Sequence, residues 1–216
     1  MKNSEKEIWD ELYKKESKIF PIQEFIYELI EMFKKRKIRT ILDLACGSGR
    51  YLIHLLESGL NAYGLDISKE AIKIANNLLK EKALNAELTI GSMFERLPYN
   101  DNFFDAVICI RSLNHGTIEE IRRGIKEIER ILKSGGLIFV TVRKKGLKRK
   151  RLPFKHIAPR TYIPLEGDEK GIKHYLFNKK RLRKEFKRFQ ICYLKSVYGP
   201  KNWESYYHLL GKLISP

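Results

Sequence analysis

The sequence is poor in cysteine and contains no long apolar run. Its three cysteines, Cys46, Cys109 and Cys192, share no C-x-x-C spacing, which argues against a zinc knuckle and against a disulfide framework. No stretch approaches the ~18 apolar residues of a membrane span, and the charged start of the chain lacks the pattern of a signal peptide. These absences predict a cytoplasmic protein without a membrane partner, and they predict no metal site.

Acidic residues are scarce relative to basic ones. The 216 residues include 43 Lys and Arg against 26 Asp and Glu, a net charge of +17. Residues 143–188, here called the basic span, hold 18 basic and only 4 acidic residues. Such a span attracts RNA or small acidic substrates, although the lysine-rich solvated surface of a thermophilic protein is an alternative. Residues 144–151 contain no aromatic side chain of the kind that a base-stacking platform needs.

What the chain does contain is a regular alternation of strand and helix patterns, and its length fits a single domain. Two N-terminal helices are predicted within residues 1–37 and an alternating core over 38–142. The prolines and glycines of residues 143–177 predict a lid-like excursion without regular elements, followed by a helix and two strands over 178–216. The core elements are predicted as strand 39–44, helix 49–58, strand 61–66, helix 69–82, strand 86–91, strand 103–110, helix 118–132 and strand 136–142.

The glycine-rich turn after the first core strand is the most informative segment. Residues 41–49 read Ile-Leu-Asp-Leu-Ala-Cys-Gly-Ser-Gly, and a second strand ends at Asp66, 23 residues after Asp43. This interval is close to the ~20 residues expected when the second acid binds a ribose. A dinucleotide site would need a third glycine where Leu52 stands, and Asp43 would repel a pyrophosphate but suit an ammonium group. The unit therefore predicts a cofactor with an adenosine part and an ammonium group.

Residues 43–50, Asp-Leu-Ala-Cys-Gly-Ser-Gly-Arg, resemble motif I of class I S-adenosylmethionine-dependent methyltransferases. Residues 170–177 resemble the His-Tyr-x-Phe stretch before the late helix in small methyltransferases of the broad type-11 class. The resemblance covers residues 39–142 with specific motifs and 160–214 more loosely. It implies an α/β fold, a Rossmann-like doubly wound sheet of seven strands with an antiparallel last strand and helices on both faces. It also implies S-adenosyl-L-methionine as cofactor, bound by Asp43, Ala45, Gly47, Gly49, Asp66, Ile67, Ser92, Met93, Ile110 and Arg111.

The resemblance also assigns roles within that cofactor set. Asp43 would lie near the amino-acid moiety of the cofactor, and Asp66 would accept hydrogen bonds from both ribose hydroxyls. Ile67 would pack on the adenine. Ser92 stands where many relatives have an aspartate that binds the adenine amino group, so this contact is expected to be weaker here.

The acceptor side is less well defined by the sequence. His115 is a candidate general base, because imidazole titrates near neutral pH, but a role in bracing the following loop is an alternative. Tyr13, Tyr162, His174 and Tyr175 are further acceptor-side candidates, with the alternative that the aromatic rings only fix the excursion to the core. Residues 110–116 lack the motif of enzymes that methylate exocyclic amines of bases and the loop cysteine of pyrimidine C5 enzymes.

The sequence therefore predicts a methyltransferase that moves a methyl group from S-adenosylmethionine to a small-molecule acceptor by in-line displacement. One alternative is a tRNA-modifying methyltransferase of the wobble-uridine type, which the basic span and the Asn114-His115 pair support. Another is a non-catalytic methyltransferase-like subunit that docks on RNA or an acidic protein. The oligomeric state and the acceptor atom are not predicted.

Overall fold

The computed structural model describes residues 4–15, 22–144, 153–198 and 205–214. Two helices, α1 (Glu5–Lys15) and α2 (Phe25–Lys35), precede the alternating core. The core consists of β1 (Thr40–Leu44), α3 (Arg50–Glu57), β2 (Asn61–Asp66), α4 (Lys69–Glu81), β3 (Leu88–Ile90), β4 (Phe104–Ile110), α5 (Ile118–Ile131) and β5 (Leu132–Arg143). The remaining elements are β6 (Phe154–Ala158), β7 (Thr161–Pro164), β8 (His174–Tyr175), α6 (Lys179–Glu185), β9 (Phe189–Tyr198) and β10 (Ser205–Leu213).

Seven strands form one sheet in the order β3-β2-β1-β4-β5-β10-β9. The first five run parallel, whereas β10 is antiparallel to both β5 and β9, which confirms the predicted sheet. Alternate residues of a strand point to opposite faces. Leu42 and Leu44 of β1 pack in a cluster with α5 and α6, and Ile41 packs in a second cluster with α2, α3 and α4. Helices therefore cover both faces of the sheet.

The N-termini of α4 and α5 lie at the edge of the sheet where β2 and β4 end, and both are capped by side chains. α4 begins after Ser68, whose hydroxyl accepts a hydrogen bond from the Ala71 N–H at 3.1 Å. α5 begins with a capping box formed by Thr117 and Glu120. Each cap satisfies backbone N–H groups that the helix itself leaves unpaired, so the entry of the chain into the helix is defined.

Two strands differ in length from their predictions. β3 is shorter than the predicted strand 86–91. It is an edge strand and pairs with β2 at three positions only, from Leu88 to Ile90. β5 begins at Leu132, before the predicted strand start at residue 136, and residues 133–136 belong to it. Leu132 pairs with Phe104 and Leu137 with Ala106, so these four residues form a bulge opposite one residue of β4. Gly135 permits the bulge with its left-handed φ of +74°.

The prediction that residues 143–177 lack regular elements is wrong. Within the described part of this segment, β6, β7 and β8 form a second, antiparallel sheet of three strands. Pro159 lies in the turn between β6 and β7, and Pro164 ends β7, while Gly167 and Gly171 lie in the loop before β8 with φ of +82° and +88°. These residues mark the ends of short strands and do not interrupt them. Residues 145–152 of the basic span lie outside the described residues.

The described ranges contain no helix with enough length and apolar character to traverse a lipid bilayer. All three cysteines are free; Cys46 and Cys109 are buried in the core, and Cys192 is exposed on β9.

Candidate functional site

A cavity of about 80 Å³ lies where the carboxyl ends of β1 to β4 meet, beneath α1. Parallel sheets of this type bind ligands at this edge. The cavity wall includes five residues of the predicted cofactor set, Ala45, Asp66, Ile67, Ser92 and Met93. Tyr13 of α1 and His115, which follows β4, complete the wall on the opposite side.

The turn that follows β1 is held in a left-handed conformation against the end of β2. Ala45, Gly47 and Gly49 have φ of +62°, +56° and +83°. The N–H groups of Ala45 and Cys46 donate to the Leu65 carbonyl at 2.7 and 3.0 Å. The Tyr13 hydroxyl lies directly over Gly47, in the space that a Cβ atom would need. Glycine at this position therefore serves both the backbone conformation and the approach of α1.

The Asp66 carboxylate connects two loops of the site. Its Oδ2 accepts a hydrogen bond from the Gly47 N–H at 2.8 Å, and its Oδ1 accepts one from the Ser68 N–H at 2.9 Å. Burial raises the pKa of Asp66 to about 6, although these two hydrogen bonds favour the charged form and oppose the shift. Each carboxylate oxygen retains a further lone pair, so Asp66 can still accept hydrogen bonds from a ligand.

Asp43 lies behind the cavity wall and is almost completely buried, with 1% of its surface exposed. Burial raises the pKa of Asp43 to about 7, and the Arg50 guanidinium opposes this shift. Within the described residues, the Asp43 Oδ2 atom is buried and has no hydrogen-bond partner. A buried carboxylate oxygen in this state is stabilised by a cationic or hydrogen-bonding ligand.

Polar contacts hold α1 over the cavity. The Ser68 hydroxyl donates to Asp10 Oδ1 at 2.6 Å, and the Lys173 ammonium lies 3.6 Å from Glu5 Oε2. The Trp9 ring lies 5.2 Å from the His115 ring, measured between centroids. No residue of α1 is fully buried. The helix therefore covers the site mainly through polar and aromatic contacts.

The second sheet brings further side chains next to His115. The His174 ring of β8 lies 4.9 Å from the His115 ring, and the Tyr162 ring of β7 stacks on His174 at 5.1 Å. Glu169 Oε2 lies 3.5 Å from His174 Nε2 and 3.3 Å from the Arg143 guanidinium. Burial lowers the pKa of His115 to about 4, so its imidazole is neutral at neutral pH. The sequence did not indicate Glu169 or Arg143, because neither belongs to a local motif.

Several known proteins that resemble the chain are named methyltransferases. The family described as "Methyltransferase domain" matches residues 41–136, from β1 into β5. Residues 41–136 therefore carry the sequence pattern of a methyltransferase domain. The fold of the chain has a TM-score of 0.74 to a solved S-adenosylmethionine-dependent methyltransferase of Methanosarcina mazei, at 23% identity, with 91% of this chain and 100% of that chain covered.

Two curated relatives carry names that state different acceptors. The ajmaline N-methyltransferase of Rauvolfia serpentina is 29% identical over 109 residues, which cover 49% of this chain and 36% of that protein. The tRNA (carboxymethyluridine(34)-5-O)-methyltransferase of Arabidopsis thaliana is 38% identical over 108 residues, which cover 48% of this chain and 24% of that protein. The chain spans about half the length, or less, of the curated relatives that it matches.

Eight predicted site residues do not line the cavity: Asp43, Gly47, Gly49, Ile110, Arg111, Tyr162, His174 and Tyr175. Ile110 is buried at the end of β4. The Arg111 guanidinium lies over the Tyr206 ring, 4.9 Å from its centroid. Tyr175 requires a correction, because its ring packs against Phe177 in the hydrophobic core and not on the acceptor side. Neighbouring residues of a strand point to opposite faces, so the Tyr175 side chain points away from the face on which His174 contacts His115.

Proposed function

We propose that the chain is an S-adenosylmethionine-dependent methyltransferase. The observation that carries the proposal is the cavity at the carboxyl ends of β1 to β4, with a carboxylate at each of two strand ends. Asp66 would accept hydrogen bonds from the ribose hydroxyls through its remaining lone pairs, and Asp43 would face the cationic amino-acid part of the cofactor. The buried Asp43 Oδ2 atom, which lacks a hydrogen-bond partner among the described residues, fits that charge.

The bound cofactor supplies a methyl group on a positively charged sulfur, which is already a strong electrophile. The chain must therefore chiefly orient the acceptor and exclude water, and well-oriented reactants reach effective molarities of ~10⁵ M or more. Trp9 and Tyr13 lie over the cavity and shield it from solvent. His115 is a neutral imidazole beside the cavity, so one ring nitrogen can accept a proton from an acceptor that carries one.

Replacement of Asp66 tests the cofactor assignment. Asp66→Ala removes a charged hydrogen-bond acceptor, a loss of ~1.5–3 kcal/mol, and we expect S-adenosylmethionine affinity to fall about ten- to a hundredfold in calorimetry. Asp66→Asn keeps one oxygen acceptor and should show an intermediate loss. Asp101→Ala is the matched control, because Asp101 is exposed and pairs only with Arg130 on the surface among its described contacts. Wild-type affinity in Asp66→Ala would refute the assignment.

For the acceptor, we favour a small molecule. The Trp9 and His174 rings contact the His115 ring, and the Tyr162 ring stacks on His174, so aromatic side chains crowd the acceptor side beside His115. The relative from Rauvolfia serpentina is named for a small-molecule acceptor. The deciding experiment incubates the protein with methyl-labelled S-adenosylmethionine and cell extract, which is then separated into RNA, protein and small-molecule fractions. We expect the label in the small-molecule fraction, and about ten- to a hundredfold less label when Asp66→Ala replaces the wild type at limiting cofactor.

A tRNA acceptor is the second candidate, favoured by the basic span and by the relative from Arabidopsis thaliana. Each phosphate contact contributes a slope of roughly −0.7 to −0.9 to the salt dependence of affinity. We expect weak, sequence-indifferent tRNA binding in filter assays that decreases by orders of magnitude toward about 0.2 M salt, without methyl transfer.

Charge reversal locates that binding. Replacement of Lys148, Arg149, Lys150 and Arg151 by glutamate should weaken tRNA binding. These four residues lie outside the described residues. The same change at residues 34–37, four consecutive basic residues at the end of α2, is the matched control and should have a smaller effect. Stoichiometric label in purified tRNA that disappears with the first set of changes would instead establish the tRNA acceptor.

A further inference from the structure

Three potential metal ligands meet beside the cavity. His115 follows β4, whereas Glu169 and His174 come from the segment that leads into and forms β8. One ligand atom of each residue lies within 4.8 Å of the other two. We propose that His115, Glu169 and His174 bind one divalent transition-metal ion, and that this ion contacts the methyl acceptor.

The set of donor atoms defines the class of metal. Two imidazoles and one carboxylate bind Zn²⁺, Co²⁺ or Fe²⁺ and leave coordination positions open, whereas Mg²⁺ and Ca²⁺ require mostly oxygen ligands. Bonds of about 2.0–2.2 Å in a tetrahedral site place neighbouring ligand atoms about 3.3–3.6 Å apart. His174 Nε2 and Glu169 Oε2 are already 3.5 Å apart. Small side-chain rotations of His115 would complete the set.

The two histidine-bearing segments are held in fixed relation by the protein. The Tyr175 N–H donates to the Asn114 carbonyl at 2.7 Å, so the residues next to each histidine are hydrogen-bonded to one another. Tyr162 stacks on His174 and fixes the plane of its ring. His174 is fully buried. The ligands are thus positioned before the ion arrives.

One feature opposes the ion and sets the expected selectivity. The Arg143 guanidinium lies 3.3 Å from Glu169 Oε2, the oxygen that faces His174. A metal must therefore displace this ion pair or use the second oxygen of Glu169. Binding to the two imidazoles offsets the loss of the Arg143–Glu169 ion pair only for ions with high affinity for nitrogen. This again favours a transition metal over Mg²⁺.

The position of the cluster indicates what the ion would do. His115 belongs both to the cluster and to the cavity wall, so an open coordination position would lie close to the acceptor. This part of the inference rests on the proposed methyltransferase function. If the ion contacts the acceptor, we expect the acceptor to carry a hydroxyl or carboxylate oxygen that coordinates it. A bound metal orients such an oxygen and lowers the pKa of a hydroxyl.

Cobalt titration of the chelator-treated full chain tests the site without any activity assay. We expect one Co²⁺ per chain, seen by calorimetry and by the visible absorption of the bound ion. His174→Ala and Glu169→Gln should each weaken binding at least tenfold; the second is conservative and lies at a partly exposed position. His54→Ala is the matched control, because it removes a surface histidine 3.0 Å from a glutamate, Glu57, and should bind Co²⁺ like the wild type.

The proposal is overturned if the wild type shows no saturable Co²⁺ binding or if either cluster variant binds as tightly as the wild type. Loss of binding in His54→Ala would also overturn it. S-adenosylmethionine affinity is measured on the same samples. Absent cobalt binding with intact cofactor binding refutes the metal site alone, whereas intact cobalt binding with absent cofactor binding refutes the proposed methyltransferase function alone.

Discussion

Gly47→Val is expected to abolish S-adenosylmethionine binding. Gly47 has a φ of +56°, and a left-handed conformation costs a residue with a Cβ about 1–2 kcal/mol. The valine Cβ would also collide with the Tyr13 hydroxyl and would project over the turn that Asp66 holds. If the turn relaxes in the free variant, it must regain the strained left-handed conformation to bind the cofactor, and this cost alone lowers affinity about five- to thirtyfold. The space that the valine side chain fills adds a further loss. Calorimetry should show a loss greater than a hundredfold.

Gly59→Val separates the steric block from backbone strain. Gly59 has a φ of +79° in the turn after α3, and a Cβ at this position meets no atom within 4 Å. This variant should lose stability in thermal unfolding but bind the cofactor with wild-type affinity. Retained binding in Gly47→Val, or equal loss of binding in both variants, would contradict the assignment of the turn.

His115→Ala is expected to lower kcat by ~10²–10⁴-fold while the Kd for S-adenosylmethionine stays nearly constant. The imidazole is neutral and lines the cavity, so a ring nitrogen can accept a proton from the acceptor, but the pKa of about 4 makes it a weak base. Rates are measured at saturating substrate in chelator-treated protein, so that the effect reports on the imidazole and not on a bound metal.

A bracing role for His115 leads to a different result. The ring contacts Trp9 and His174, so its loss would then lower the melting temperature and reduce kcat less than threefold. His54→Ala, which removes a histidine of α3 remote from the cavity, serves as the control and should leave kcat unchanged.

The alternating core could be predicted from the sequence because its signals are local. Ser68 and Thr117 mark helix starts through contacts three residues away, and apolar periodicity marks the buried faces. Once the strands are parallel, their carboxyl ends must meet, so Ala45, Asp66 and Ser92 could be placed together without coordinates. The local signals for helices and strands and the meeting of the parallel strand ends together predict the cofactor side of the site.

The acceptor side could not be predicted in the same way. β6, β7 and β8 have five, four and two residues, and short strands of this kind are defined by pairing with distant segments. Glu169 comes near His115 only through that pairing, across more than fifty residues of chain. The prolines and glycines of the segment mark turns, and the sequence alone does not distinguish a turn between strands from an irregular loop.

The position of β10 has a consequence for the order of folding. It is the final strand along the chain, yet it lies between β5 and β9 and pairs with β5 from Leu137 to Arg143. Until residue 213 has been synthesised, β5 therefore presents an unpaired edge that carries Val140 and Val142, both buried in the finished sheet. Until β10 pairs with it, this edge of β5 is open to pairing with a strand of another chain, and non-local pairing of this kind forms slowly.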